Sequence, residues 1–312
     1  MRVCASALTC LARASSVRLK PVKLSCESKR PELVSRALGI VQKLVGLSDE
    51  RCVSLDDGNV NEILALLHGV EAVHEESVQL KILQTCLVVL QSPGLHPKNA
   101  DEIFSVISLC FRAMTPRGKG QVTTTASATV RQAVAIAFSY VEVEDAGERG
   151  EDSDPSREEY IKASSRLLED LIALSSGSPA RWLQTSSLPN QKTFSLEVLD
   201  FALLSHPKLF LSLSAFESSI SLRVVQLLQA QLQDHIAAAG KSSNFEGFKA
   251  VLKCVRTLLL LYHEVAGKKC RSLVHTMLKG LQSCSSLVHR VAIAQVVRQL
   301  LDDPALVMFL LT

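Results

Sequence analysis

From Pro31 to Leu301, apolar residues recur at three- and four-residue spacing in one segment after another, and the intervals between segments are short and rich in proline or glycine. No stretch sustains the two-residue alternation of a half-buried strand, so the pattern predicts helices throughout. They are expected at 31–47, 59–73, 75–91, 100–114, 124–144, 157–175, 191–205, 215–238, 245–266, 268–283 and 286–301. The breaks fall at Pro31, Asp56-Asp57-Gly58, Pro93-Gly94, Pro116 to Gly120, Pro179, Pro189, Pro207, Gly240 and Gly267. One segment, TTTASATVRQAVAIAFSYVEVEDAGERGEDSD at 123–154, shows how the reading works. Stepping 100° per residue puts Val130, Ala133, Val134, Ile136, Ala137, Phe138, Tyr140 and Val141 on one broad arc, with Ala128, Gln132, Ala135 and Ser139 opposite. The threonines suit a helix start near Thr124, where a side-chain oxygen can accept from an orphan N–H. The acidic run mixed with Gly147, Gly150 and Pro155 is too polar to bury much surface and reads as a linker.

Consecutive helices whose apolar faces are too wide for one neighbour must be covered from two sides. The expected fold is therefore all-α, an armadillo/HEAT-like α-solenoid of paired antiparallel helices, with a globular helical bundle as the alternative because no repeat of fixed period stands out. With 47% hydrophobic and 21% charged residues among 312, the chain is too apolar for disorder. Its richest apolar segment, VLKCVRTLLLLYHEV, carries Lys253, Arg256, His263 and Glu264, so no membrane-spanning helix is predicted. Nine cysteines stand singly along apolar stripes with no CxxC pair, which predicts buried thiols in a reducing compartment rather than disulfides.

Charge is segregated. Residues 1–30 hold seven basic residues and one acidic, residues 142–159 two basic and nine acidic, and residues 241–298 ten basic and two acidic. A basic region suits nucleic acid, anionic lipid or an acidic partner. Aromatics are only 4% and none is interleaved with the basic residues, which argues against nucleic acid. The acid-free start MRVCASALTCLARASSVRLKPVK shares the composition of mitochondrial transit peptides, and equally that of an ordinary amphipathic first helix or of a misassigned start.

Catalytic patterns are missing. His68 and His74 lie six apart and there is no HExxH. Cys254, His263, Cys270, His275, Cys284 and His289 are spaced nine, seven, five, nine and five apart, which places no ligand pair on one helical turn. Arg117-Gly118-Lys119-Gly120 matches a phosphate loop in composition but not in order, and no GxSxG occurs. The repeated tripeptide His96-Pro97-Lys98 and His206-Pro207-Lys208 is routine punctuation ahead of helices. Trp182, the single tryptophan, sits in the polar turn SGSPARWLQTSSLPN and is expected to plug the top of a helical core. No enzyme activity, cofactor or metal is predicted.

Several segments carry a resemblance. LKILQTCLVVL at 80–90, ISLCFRA at 107–113 and TASATVRQAVAIAF at 125–138, then Trp182-Leu183 and TFSLEVLDFALLSHPKLF at 193–210, resemble in order and spacing the N-terminal region of the Mon-two (monensin-sensitivity) proteins, relatives of the large Sec-seven-type Arf exchange factors. The resemblance spans roughly 24–312. It implies a dimerisation and cyclophilin-binding (DCB) domain at 24–145, an acidic linker at 146–157, and a homology-upstream-of-Sec-seven (HUS) domain at 158–312, with 1–23 as an atypical basic segment. It further implies a non-catalytic scaffold in Golgi and endosome vesicle trafficking, cytoplasmic and peripheral on trans-Golgi and endosomal membranes. Its implied partners are an Arf-like small GTPase, a Dopey-type protein and a second copy in a homodimer. The end at Phe309-Leu310-Leu311-Thr312, ahead of the family's Asp-containing HUS box, is expected to mark a fragment. The alternatives are the regulatory N-terminal part of an active Arf exchange factor, and a mitochondrial or cytosolic helical-repeat adaptor.

One cluster is a candidate contact. Lys268, Lys269 and Arg271 follow Gly267 at a turn between apolar helices, where their stems can cover the core while their charges reach outward. At ~1 kcal/mol per cation near acidic lipid, three together would strengthen adsorption about 100-fold. The competing reading is a solvated face that keeps the protein soluble.

Overall fold

A computed structural model describes residues 19–49, 57–92, 100–114, 120–142, 155–185, 191–239 and 244–311, and no strand occurs among them. The acidic run 143–154, the Arg117–Lys119 loop, His96-Pro97-Lys98 and most of the 1–23 segment lie outside the described residues. The chain forms two compact units: Met1–Ala163 with Trp182–Leu188, and Ser164–Arg181 with Pro189–Thr312.

The first unit holds α1 (Lys20–Glu27), α2 (Pro31–Asp49), α3 (Asp57–Val70), α4 (Glu76–Gln91), α5 (Ala100–Arg112), α6 (Gly120–Glu142) and the start of α7 (Pro155–Ser176). Each helix packs on the next but one: α2 on α4 and α4 on α6 make one layer, α1 on α3 and α3 on α5 the other. This is helical-repeat stacking, in which each helix buries its apolar stripe against near neighbours, although Leu24 and Ile40 stay exposed. Val34, Leu38, Leu67, Leu83, Leu90, Phe111 and Phe138 are buried between the layers, each contributing about 1.5–3 kcal/mol of transfer energy.

The remainder of α7 belongs to the second unit with α8 (Gln191–Ser205), α9 (Pro207–Ser212) and α10 (Ser214–Ser218). A π-helical turn (Ser219–Val224), α11 (Val225–Ala238), α12 (Phe245–Leu261), α13 (His263–Ala266), α14 (Lys269–Ser283), α15 (Leu287–Leu301) and α16 (Pro304–Leu311) complete it. The same rule recurs: α8, α12 and α15 stack in one layer, and α11 packs on α14 in the other.

The sequence periodicity places most long helices to within a few residues, but those expected at 215–238 and 245–266 are each interrupted, the first by the π-helical turn Ser219–Val224 and the second at Tyr262, and three further departures have identifiable causes. α6 starts at Gly120, a turn ahead of Thr124, because Val122 extends the buried stripe through Ala126 and Val130. Thr124 does not cap there; its hydroxyl donates back to the Gly120 carbonyl at 2.8 Å. α1 has only Val22 and Cys26 buried, too short a stripe to register as periodic. α16 is apolar on every side, so it carries no helical period at all.

Candidate interaction surfaces

The basic turn is built around Gly267, whose φ of +56° a Cβ-bearing residue adopts only with strain and which swings the chain from α13 into α14. Lys268 stands at the N-cap of α14 and is exposed. Lys269 is half-buried, and its ammonium donates to the Ser221 carbonyl at 3.0 Å. Arg271 is exposed but held: Nη2 donates to the Phe309 carbonyl at 3.3 Å, and the guanidinium lies 6.0 Å from the Phe309 ring centroid. The three cations predicted as one cluster therefore divide, Lys269 turning inward to the π-helical turn and Arg271 bracing α16.

Elsewhere three cations of the basic stretch 241–298 have partners, of which Asp200 alone is a carboxylate distant in sequence. Lys253 Nζ lies 3.1 Å from Asp200 Oδ2, Lys249 pairs with Glu246 at 2.7 Å, and Arg256 donates to Gln299 at 3.0 Å. Asp200 is buried, and its other oxygen accepts from the Thr257 hydroxyl at 2.6 Å. Beside it, burial and then the Asp200 charge push the Cys254 thiol well above its ordinary range.

In the first unit a polar network closes one end of the layers. Arg112 grips Glu71 with two bonds, Nε–Oε1 at 2.6 Å and Nη2–Oε2 at 3.0 Å, and Nη2 also donates to His68 Nδ1 at 3.0 Å. Nε2 of His68 meets Ser105 Oγ at 2.7 Å. Since Arg112 can only donate, the network assigns the proton of a neutral imidazole to Nε2. Partial burial, followed by the Arg112 charge, lowers the His68 pKa against the opposing pull of Glu71. Trp182 stacks on Phe104 at 6.4 Å, Leu183 is buried, and the Gln184 N–H donates to Ser108 Oγ at 3.0 Å, so this turn does seal a helical end.

The six cysteines and histidines whose spacing argued against a metal site are dispersed, with His275 exposed. Cys254, Cys270 and Cys284 are buried free thiols, His263 packs on the Phe309 ring, and His289 packs on Phe245 and Phe248. Among the described residues no group of three metal-ligating side chains comes together, and no helix is long and apolar enough to cross a membrane. The rim network and the Asp200 site escaped the sequence reading because their partners stand 41 and 57 residues apart, with no local spacing to betray them.

Two family models match the chain in order. Residues 2–145 match the Mon2/Sec7/BIG1-like dimerisation and cyclophilin-binding domain, and residues 160–310 match the HUS domain of the same group. The chain belongs to the Mon2/Sec7/BIG1-like family. The first match begins at residue 2, inside the segment set apart above as atypical. Relatives include a protein MON2 homolog of Xenopus laevis, 25% identical over 96% of this chain, and that of Homo sapiens, 25% identical over 88%. The monensin-resistant homolog 2 of Caenorhabditis elegans is 26% identical over 87%. The chain spans 17–18% of the length of these relatives. The DCB and HUS regions of this Sec7-related family are non-catalytic.

Proposed function

We propose that the chain is a non-catalytic scaffold of vesicle trafficking, peripheral on trans-Golgi and endosomal membranes. It recruits an Arf-like GTPase and a Dopey-type partner through its helical surfaces and associates with a second copy of itself. The observation that carries the reading is the ordered pair of family regions on two helical stacks. The test is a pull-down with a panel of nucleotide-locked Arf-like GTPases, scored beside a nucleotide-release assay. Retention of a GTPase without faster release supports the scaffold. Accelerated release by this chain alone would instead make it part of an active exchange factor, and retention of none would remove the GTPase from the proposal.

Membrane adsorption belongs to the same reading. With Lys269 drawn inward, two exposed cations remain at the turn; losing their attraction alone is about 30-fold, so reversing Lys268, Lys269 and Arg271 to Glu is expected to cut flotation with anionic vesicles at low salt by more than that. Unchanged recovery would leave the cluster as solubilising charge.

A further inference from the structure

α16 is apolar at all eight positions from Pro304 to Leu311, yet only Leu306 among them is buried. Pro304, Ala305, Met308 and Leu311 are exposed, the last two at 62% and 78%, and their spacing of three and four residues puts them on one helix face. Leu301, 64% exposed at the end of α15, lengthens that face by a turn. A lone exposed leucine is ordinary, but a helix that is apolar on every side belongs in a core or at a lipid boundary.

The cations of the basic turn are bonded to this helix and to a second exposed apolar residue. Arg271 engages both the carbonyl and the ring of Phe309, so its guanidinium stands at the edge of α16. Lys268 is exposed at the head of α14, and Lys269 reaches the Ser221 carbonyl, beside which Leu222 is 45% exposed on the π-helical turn. Opposing charge is limited. Asp303 is engaged at the start of α16, where it accepts from the Ala305 and Leu306 N–H groups at 2.9 and 3.1 Å. Asp302 is exposed there too, about 14 Å along the helix from Leu311 at 1.5 Å per residue, and Glu264 is exposed on α13.

The occupant of such a surface must offer negative charge directly above an apolar phase. An anionic bilayer has that layering everywhere, headgroups over acyl chains, whereas a protein partner would need an acidic rim built around a matching apolar pocket. Pairing this face with the same face of a second copy would set Lys268 and Arg271 against their own counterparts. We propose that α16, with Leu222 across the basic turn, inserts into the acyl boundary of an anionic membrane while Lys268 and Arg271 hold the headgroups. The inference rests on the membrane reading above and adds an apolar component to it. A leucine-sized side chain leaving water strengthens partitioning about tenfold, so adsorption should persist in part when salt screens the cations.

The experiment is flotation of the intact chain with phosphatidylserine–phosphatidylcholine vesicles, and with phosphatidylcholine alone, at low and at high salt. Met308→Ser/Leu311→Ser is compared with the parent after its helicity is verified; both side chains are largely exposed, so the change takes little from the core. The parent is expected to bind the anionic vesicles at both salt levels, more weakly at high salt. The double variant should lose at least about tenfold, and the less exposed Leu222→Ser about threefold. A Leu311→Trp variant reports depth: lipids brominated on the acyl chains should quench its emission beyond that of the parent, whose single tryptophan is Trp182. Equal flotation of parent and double variant, complete release of the parent by salt, or quenching no greater than the parent's overturns the insertion alone; the charge reading then stands and the α16 face falls to a protein partner. A parent that floats with neither vesicle overturns the membrane reading and the insertion together.

Discussion

The two helical stacks share a packing rule but place two well-defined ion pairs differently. The first keeps its strongest ion pair at the rim, where Arg112 and Glu71 stay partly exposed and bring His68 with them. The second carries a carboxylate into its core, with Asp200 between Thr257 and Lys253. One device is common to both. Tyr140 in α6 donates its hydroxyl to the Leu90 carbonyl of α4, and Tyr262 at the end of α12 donates to the Leu203 carbonyl of α8 at 2.7 Å. In each stack a tyrosine thus rivets two helices of one layer, and the units differ in what they add to it. A rim pair adds specificity at small energetic stake, whereas a core carboxylate makes its partners obligatory.

The largest effect expected is at the core carboxylate. Lys253→Met leaves buried Asp200 charged with only the Thr257 hydroxyl donating to it; because the lysine side chain is 55% exposed, the cost is about 2 kcal/mol rather than the ~3–5 of a fully buried pair. Adding Asp200→Leu to that variant should restore stability to within about 1 kcal/mol of the parent, since an apolar replacement of the whole pair removes the penalty. Urea unfolding of the two variants checks both, and a double variant no better than the single one would break the contrast between core and rim.

Next come the rivets. Tyr140→Phe and Tyr262→Phe should each lose about 1–2 kcal/mol, the cost of a buried hydrogen bond, and by similar amounts, measured as shifts in denaturation midpoint. A loss confined to one stack would show that the shared device is not shared in energy.

Glu71→Gln should cost the first stack about 0.5–1 kcal/mol at low salt, and raising the salt should shrink the difference, whereas the Lys253→Met penalty should respond less because one partner is buried.

The smallest effect is a pH dependence. The His68 pKa is lowered in the fold by burial and Arg112, and that of His235 by burial and His289. Each therefore contributes stability that is present above the unfolded value near 6.5 and lost as pH falls from there through the folded pKa. Thermal melts between pH 7.5 and 5 should show this decline, and His68→Gln should flatten the part belonging to the first stack.

Helix positions were legible because each long helix repeats an apolar stripe over several turns, as Val130 to Val141 does. The turn at Trp182 was legible from the isolation of one aromatic in polar surroundings. The charge arrangement was not, since Asp200 reads as one more polar residue in an apolar helix until α12 brings Lys253 and Thr257 across it. Nor was the division of Lys268, Lys269 and Arg271, which depends on where Ser221 and Phe309 end up.

The turn at 182–184 has a consequence during synthesis. The first stack needs Trp182, Leu183 and Gln184 against Phe104 and Ser108, yet these residues leave the ribosome about forty positions after Glu142 ends α6. At 5–20 residues per second, roughly 2–8 s separate the end of α6 from the arrival of this cover over α5. Throughout that interval the nascent first stack is an unfinished surface that a chaperone can hold.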